Sequence, residues 1–427
     1  MVGYTGRDLF CSAGIPSTMA ELIRRTSLKY GSAIIADAGA LITPEKGTPP
    51  LVSITTPGSL EKIETQVVDA AAVTGRTTRV TIRYPTVENL GQSWLRVTLA
   101  APGGAPGGYI VPGVGFRVIK SLRVLFGSNV LAEYGDYEQA LKLAMSYLEP
   151  AIFKSVWSGL GHVLSPVFDS SLDVAIPLLV PGAGILSSGA KDQTFLPLSR
   201  ATPGSALTLE VTFNDNTHFY DSVPHITASP NAISACSLVL VHASFLDSSA
   251  IEASAGAVPK YWFRDYQTLP SHTNLAAGFV NDSFDLTALS GTIESLHVFA
   301  TQHPGGFDGG VPGTYLNVAS ATVNEVRIDG RTYWSSTATS SAERFLEAGL
   351  FSGGAVDEQD IIGTGHAITI PFSLFAAEPI YSGGLCLSDI RNFQLVFSSP
   401  DATQYTVAAA SRAYLTLEGG RFVRIRP

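Results

Sequence analysis

Two stretches set the pattern of this chain. In Arg117-Val118-Ile119-Lys120-Ser121-Leu122-Arg123-Val124 and in Leu207-Thr208-Leu209-Glu210-Val211-Thr212-Phe213, apolar side chains recur at alternate positions, the period of a strand with one buried and one wet face. Shorter runs of Val, Ile, Leu, Phe and Thr, bounded by Gly, Pro, Asn and Asp, follow one another from about residue 50 onward. They predict strands at 78–83, 94–99, 116–126, 206–213, 237–245, 293–300, 322–328, 367–374, 393–397 and 412–417. Helical patterns are few. Thr18 to Tyr30 has Met19, Leu22, Ile23 and Leu28 near one face and Arg24, Arg25 and Lys29 toward the other. Tyr137 to Leu148 follows Asp136 as a cap and ends before Pro150. A third pattern covers 340–349, closed by Gly349.

Many strands with so little helix between them exclude a βαβ architecture and predict facing antiparallel sheets that share a core, the sandwich or barrel solution. At 427 residues the chain exceeds what one core holds, since domains run roughly 50 to 200 residues. The expected organisation is an arm at 1–47 with an amphipathic helix, one barrel at 48–265 and another at 266–427.

Charge and composition narrow the function classes. Charged residues are 15% of the chain against roughly 25% in an average soluble protein, so much of the surface expects a partner. The 27 basic and 36 acidic residues give a net charge of -9, the wrong sign for neutralising phosphates, and direct nucleic-acid binding is not expected. Cys11, Cys236 and Cys386 are odd in number and far apart, which predicts neither a disulfide framework nor a paired-ligand zinc site. No apolar run of membrane-spanning length occurs, and Arg7-Asp8 interrupts the start, so neither a spanning segment nor conventional secretion is expected.

The stretch Ile370 to Phe397 joins two apolar strands through Glu378-Pro379 and Ser382-Gly383, then opens a strand with Ser388-Asp389-Ile390-Arg391-Asn392. It resembles the closing signature of double jelly-roll major capsid proteins. Further segments resemble that family in its chain order. Thr81 to Leu90 is similar to an early strand and turn, and Phe116 to Phe126 with Gly127 to the next strand. Ile176-Pro177-Leu178-Leu179 and Phe195-Leu196-Pro197-Leu198 resemble its Pro-Leu elements, and Ser237 to Asp247 the strand closing the first barrel. Tyr261-Trp262-Phe263 stands where the family has an interdomain helix. Tyr84-Pro85-Thr86 and Ser248-Ser249 depart from the pattern by lacking its acidic residues.

The resemblance implies an all-β fold of two consecutive eight-stranded jelly rolls (a double jelly roll) with a few short helices and long loops. It also implies a structural virion protein, made in the host cytoplasm, that forms homotrimeric, pseudo-hexameric capsomers of an icosahedral shell. Expected partners are the chain itself, neighbouring capsomers and minor capsid or penton proteins. Loops such as 101–115, 181–191 and 302–313 are expected to form trimer contacts. A minor capsid subunit at a vertex or spike, and a carbohydrate-binding β-sandwich protein, remain open readings.

Candidate chemistry is thin. Residues 184–191 imitate a phosphate-binding loop, but Ala190 displaces Lys191 and Asp192 stands at the hydroxyl position. The eight histidines are scattered, with no i, i+4 pair on a helical pattern, and no Gly-x-Ser-x-Gly elbow occurs. Neither an enzyme nor a cofactor is expected. Asn281-Asp282-Ser283 is an acceptor triplet for glycosylation. Two cationic groups are candidates for contact with an internal lipid membrane or an acidic minor protein: Arg24, Arg25 and Lys29 in the N-terminal helix, and Arg421, Arg424 and Arg426 near residue 427.

Overall fold

The computed structural model describes residues 52–53, 60–69, 78–101, 110, 113–148, 150–161, 171–188, 194–201, 205–215, 218–220, 233–245, 260–274, 279–302, 322–335, 366–373, 384–399 and 403–426. The expected arm at 1–47, with Arg24, Arg25 and Lys29, and the expected helix at 340–349 lie outside them.

In chain order the first unit lays down β1 (Val52–Ser53), β2 (Leu60–Asp69), β3 (Arg79–Arg83), β4 (Asn89–Leu99), the short helix α1 (Gly115–Val118), β5 (Ile119–Phe126) and β6 (Asn129–Tyr134). Helices α2 (Tyr137–Ser146) and α3 (Pro150–Gly159) follow, then β7 (Leu172–Leu178), α4 (Ile185–Ser188), β8 (Thr194–Phe195), β9 (Leu207–Phe213) and β10 (Ile233–Phe245). The second unit is almost all strand: β11 (Lys260–Thr268), β12 (His272–Asn274), β13 (Phe279–Asp285), β14 (Thr292–Gln302), β15 (Thr322–Ile328), β16 (Arg331–Ser335), β17 (His366–Pro371), β18 (Leu385–Cys386), β19 (Phe393–Ser399), β20 (Thr403–Glu418) and β21 (Arg421–Ile425).

Each unit closes two antiparallel sheets of four principal strands over a core, with β12, β18 and β21 added to one sheet of the second unit, and the order of the principal strands is the same in both. The first has β2-β10-β4-β7 facing β3-β9-β5-β6. Counting only its eight barrel strands, that is order 1-8-3-6 against 2-7-4-5. The second has β11-β20-β14-β17 against β13-β19-β15-β16, again 1-8-3-6 against 2-7-4-5. Consecutive strands alternate between the sheets except at the fourth and fifth, β5–β6 and β15–β16, which pair as hairpins.

The alternation read in the sequence sets the faces. Leu207, Leu209, Val211 and Phe213 of β9 are buried while the residues between them are half-buried, each buried side chain stabilising by roughly 1.5–3 kcal/mol. In β5 the strict alternation runs only from Leu122 to Phe126. A shift in register between Ile119 and Ser121 against β9 marks a bulge at Lys120, and Phe116 to Val118 belong to α1 rather than to the strand expected over 116–126. The hairpin β15–β16 turns on Asp329 (φ 49°) and Gly330 (φ 78°), two left-handed residues that give the turn the twist antiparallel strands require.

The strand β11 runs across the expected boundary at 265/266, so the last strand of the first barrel and the first strand of the second are separated by 246–259. Tyr261-Trp262-Phe263, where a helix was expected, are strand residues paired with Leu415, Tyr414 and Ala413 of β20. Their aromatic, alternating character suits a pleated edge, and pairing with the 16-residue β20 holds them extended.

Candidate functional site: the seam between the two barrels

The two barrels are joined along a buried seam built from α2. Asp136 caps this helix, its side chain accepting from the Gln139 N–H at 3.2 Å. Helix α2 is buried almost all round, Gln139 and Lys142 along with Tyr137, Ala140, Leu141, Leu143, Ala144 and Met145, as a helix covered from both sides must be. Its Glu138 and Lys142 meet at 2.8 Å, one turn apart. Burial alone would raise the Glu138 carboxyl, but Lys142 and Arg117 more than offset it and hold it down. Helix α3, absent from the sequence reading, starts on Pro150. The proline that ended the expected helix at 148 also begins a new one, because its missing N–H costs nothing in a first turn.

What α2 meets is the outer face of β11-β20-β14-β17. The Tyr147 hydroxyl, just past the helix end, lies 2.7 Å from Ser295 Oγ and 3.2 Å from His297 Nε2. The Arg264 guanidinium stacks over the Tyr147 ring at 3.8 Å. Glu294 completes the group, 3.5 Å from Arg264 Nε and 2.9 Å from Arg412 Nε. The Arg264 and Glu294 side chains are only 1% and 2% exposed. Burial pulls the Arg264 pKa down, and Glu294 reverses that to a net rise, so the guanidinium is firmly charged. Burial pushes the Tyr147 phenol up, so it stays a neutral hydroxyl. Tyr266 donates to the Leu186 carbonyl at 2.9 Å and ties α4 to the same face.

The seam explains the composition of β20. Val407 and Ala409 point into the second barrel's own core, while Ala408 and Ala410 pack against the first barrel. A sheet covered on both faces needs apolar residues at every position, and alanine lets the helix approach.

A second junction fastens the other side. Phe422 of β21 is fully buried, its ring edge-on to Phe126 at 5.2 Å and to Tyr261 at 6.1 Å. Asn129 Nδ2 donates to the Phe422 carbonyl at 3.2 Å. Asp265, buried in β11, receives Arg426 Nε at 2.6 Å, with Arg424 at 3.7 Å. Arg426 also donates to Ser290 Oγ at 3.0 Å. Two of the three C-terminal cations singled out in the sequence are thus engaged with a carboxylate inside the chain, and Arg421 is exposed at the start of β21. Their juxtaposition with Asp265 was not legible locally, since 161 positions separate Asp265 from Arg426.

Of the imitation phosphate loop, residues 184–188 are described, while Lys191 and Asp192 lie outside the described residues. Ser187 Oγ accepts from the Gly182 N–H at 2.8 Å, and Gly184 sits at φ +85° with Gln92 filling the space where a Cβ would be. The free thiols of Cys236 and Cys386 are unlike: burial pushes Cys236 up to about 12, while hydrogen bonds from Ser388 lower the exposed Cys386. Asn281 is exposed at φ 57°. Among the described residues no group of three or more His, Cys, Asp or Glu is gathered for a metal, and no helix is long and apolar enough to cross a membrane.

No family model matches the chain, and no curated protein matches it in sequence. Solved structures do. PBCV-1 VP54 aligns with a TM-score of 0.63 over 86% of this chain and 97% of its own, at 13% identity. The Faustovirus major capsid protein aligns at 0.52 over 85% and 92%, at 10% identity, and the mavirus major capsid protein at 0.51 over 85% and 90%, at 11%. The chain has the double jelly-roll fold of viral major capsid proteins. Its two sheets per barrel, the repeated strand order and the near-complete coverage of each neighbour all belong to that fold. In this double jelly roll the seam residues Tyr147, Arg264, Glu294 and Arg412 lie where one barrel is fixed against the other. Their chemistry is that of a rigid joint, a buried ion triad capped by an aromatic ring.

Proposed function

We propose that this chain is a major capsid protein whose copies assemble as homotrimers with six barrels around one axis, the pseudo-hexameric capsomer of an icosahedral shell. The observation that carries the reading is the repetition of one barrel topology twice in a chain, with the two copies locked by a buried seam. Three such rigid pairs around a three-fold axis present six similar bodies, a shape that tiles a flat facet. The likeness to major capsid proteins over most of the chain supports it, as does the low share of charge.

On this reading the chain acts in the virion, after synthesis in the host cytoplasm, and its partners are other copies, neighbouring capsomers and minor capsid or penton proteins. Arg24, Arg25 and Lys29, with Arg421, are the cations assigned to an internal membrane or an acidic minor protein. Arg424 and Arg426 are weaker candidates because Asp265 already receives them. The test is the native mass by light scattering with negative-stain imaging. A particle of three times the 45.0 kDa chain mass with a hexagonal outline supports the proposal, and a monomer that never assembles refutes it.

A further inference from the structure

Strand β3 is a sheet edge, and among the described residues its one partner is β9. The Phe213 N–H donates to the Thr78 carbonyl and the Tyr84 N–H to the Leu207 carbonyl, both at 2.9 Å. These bonds mark the even-numbered residues as the hydrogen-bonded pairs of the ladder, so the backbone N–H and C=O groups of Arg79, Thr81 and Arg83 point away from β9. The side chains of the same residues are exposed, while Val80 and Ile82 between them are buried. The edge therefore offers unpaired backbone groups beside an outward row that reads Arg-Thr-Arg.

Positive charge gathers on the same face. The bulge in β5 leaves Lys120 exposed between buried Ile119 and Leu122, and Arg123 lies half-buried beyond them. Arg79 and Arg123 share Glu210, at 2.6 and 2.9 Å, whereas Arg83 and Lys120 have no ion pair among the described residues. On a chain of net charge -9, the sheet β3-β9-β5-β6 sets these four cations against Glu133 and Glu210 alone. The equivalent edge of the second barrel, β13, carries Asp282 and Asp285 and no cation, so the fold itself does not require a basic edge. Two copies of β3 paired antiparallel about Thr81 would set Arg79 against Arg83, which is unfavourable. The edge is thus closed to its own kind and open to the opposite charge.

We propose that the free edge of β3 takes up an extended acidic segment of a different protein, added antiparallel as a further strand of β3-β9-β5-β6. Residues of that segment opposite Arg79, Thr81 and Arg83 share their outer face and exchange backbone hydrogen bonds with them, and those opposite Val80 and Ile82 turn inward. The recognised pattern is Asp or Glu at i and i+4, a polar residue at i+2, and small apolar residues at i+1 and i+3. Backbone bonds supply the docking and the two arginines the selection by charge. This rests on the capsomer reading only in making the partner a minor component of the virion.

The test measures binding of a fluorescent peptide of alternating Glu and Val to the full chain by anisotropy at low salt, where screening is weak. Saturable binding is expected. Arg83→Glu, at an exposed position with no ion pair to lose, is expected to keep its circular dichroism spectrum. It should weaken binding about fivefold or more, while Arg83→Lys stays within about twofold of wild type. N-methylation at the Glu residues removes the donors that face β3 and is expected to abolish binding, whereas methylation at the Val residues removes donors that face away and should leave it intact. Binding indifferent to Arg83→Glu overturns the proposal. So does equal binding of the two methylated peptides with displacement by a heparin oligosaccharide, the behaviour of a general polyanion surface. A wild-type trimer that takes up no peptide overturns the β3 edge and leaves the capsomer reading standing. A monomeric wild type that binds it as described overturns the capsomer reading and supports the edge.

Discussion

Replacing Glu294 by glutamine removes one charge with almost no change of shape, and the structure makes the cost large. Glu294 is the carboxylate facing Arg264 at 3.5 Å and Arg412 at 2.9 Å. Arg412 is 12% exposed and can turn part of its charge to water, whereas Arg264 is 1% exposed and stacked on Tyr147. Without the carboxylate, Arg264 is a buried cation lacking its counter-charge, a condition that costs about 3–5 kcal/mol. Urea unfolding followed by tryptophan fluorescence reads this directly, because Trp94 and Trp157 report the first barrel and Trp262 and Trp334 the second. The expected result is a fall of about 3–5 kcal/mol in E294Q. Replacing Arg264 by Met together with Glu294 by Leu removes both charges, and should recover most of that loss, since well-packed apolar substitutes for buried ion pairs are often neutral. A loss below about 1 kcal/mol in E294Q, or a double variant no better than the single one, refutes the argument that charge compensation holds the seam.

Asp136 supplies a pH prediction. Burial, then the neighbouring Glu138, raises its carboxyl from 3.8 to about 6, so the folded state holds its proton more tightly than the unfolded chain does. Stability from this group is therefore present below about pH 4 and is lost as pH rises toward 6, by at most about 3 kcal/mol before solvent screening reduces it. Asp136→Asn keeps a capping side chain and should flatten that step in melting temperature between pH 4 and 6. Phe422→Ala should cost about 3–5 kcal/mol in urea unfolding, from the cavity between Phe126 and Tyr261, while Arg421→Ala on the same strand should change little. Gly115→Ala is expected to destabilise by about 1–3 kcal/mol, because its Cβ would stand 2.8 Å from the Leu160 backbone. Gly135→Ala, with nothing within 4 Å, should be neutral or slightly stabilising in the same thermal scan.

Much of the fold was legible from period and punctuation. The alternation at Leu207–Phe213 and the apolar run at Ser237–Phe245 fell on β9 and β10, and the helix capped by Asp136 formed from Tyr137 to Ser146, two residues short of the expected end. Misses have separate causes. Strand β2 carries Glu61, Lys62, Glu64 and Asp69, which mask the pattern as charged edge strands do. The first half of β20 reads Tyr405-Thr406-Val407-Ala408-Ala409-Ala410, and alanine gives a weak strand signal. Asp329-Gly330 was a turn signal available in the sequence for the β15–β16 hairpin.

Local chemistry, then, dictated which segments extend, which turn and which face of each strand avoids water, because those choices depend on neighbours two to four positions away. From them followed a chain of sandwiches too long for one core. Pairing across the barrels followed another logic. Asp265 meets Arg426, Tyr147 meets Arg264 and His297, and Phe422 meets Phe126 only after sixteen strands have closed two barrels. These contacts join residues more than a hundred positions apart, where no sequence period reaches, and it is burial in the completed seam that turns scattered charges into a triad and a row of alanines into a joint.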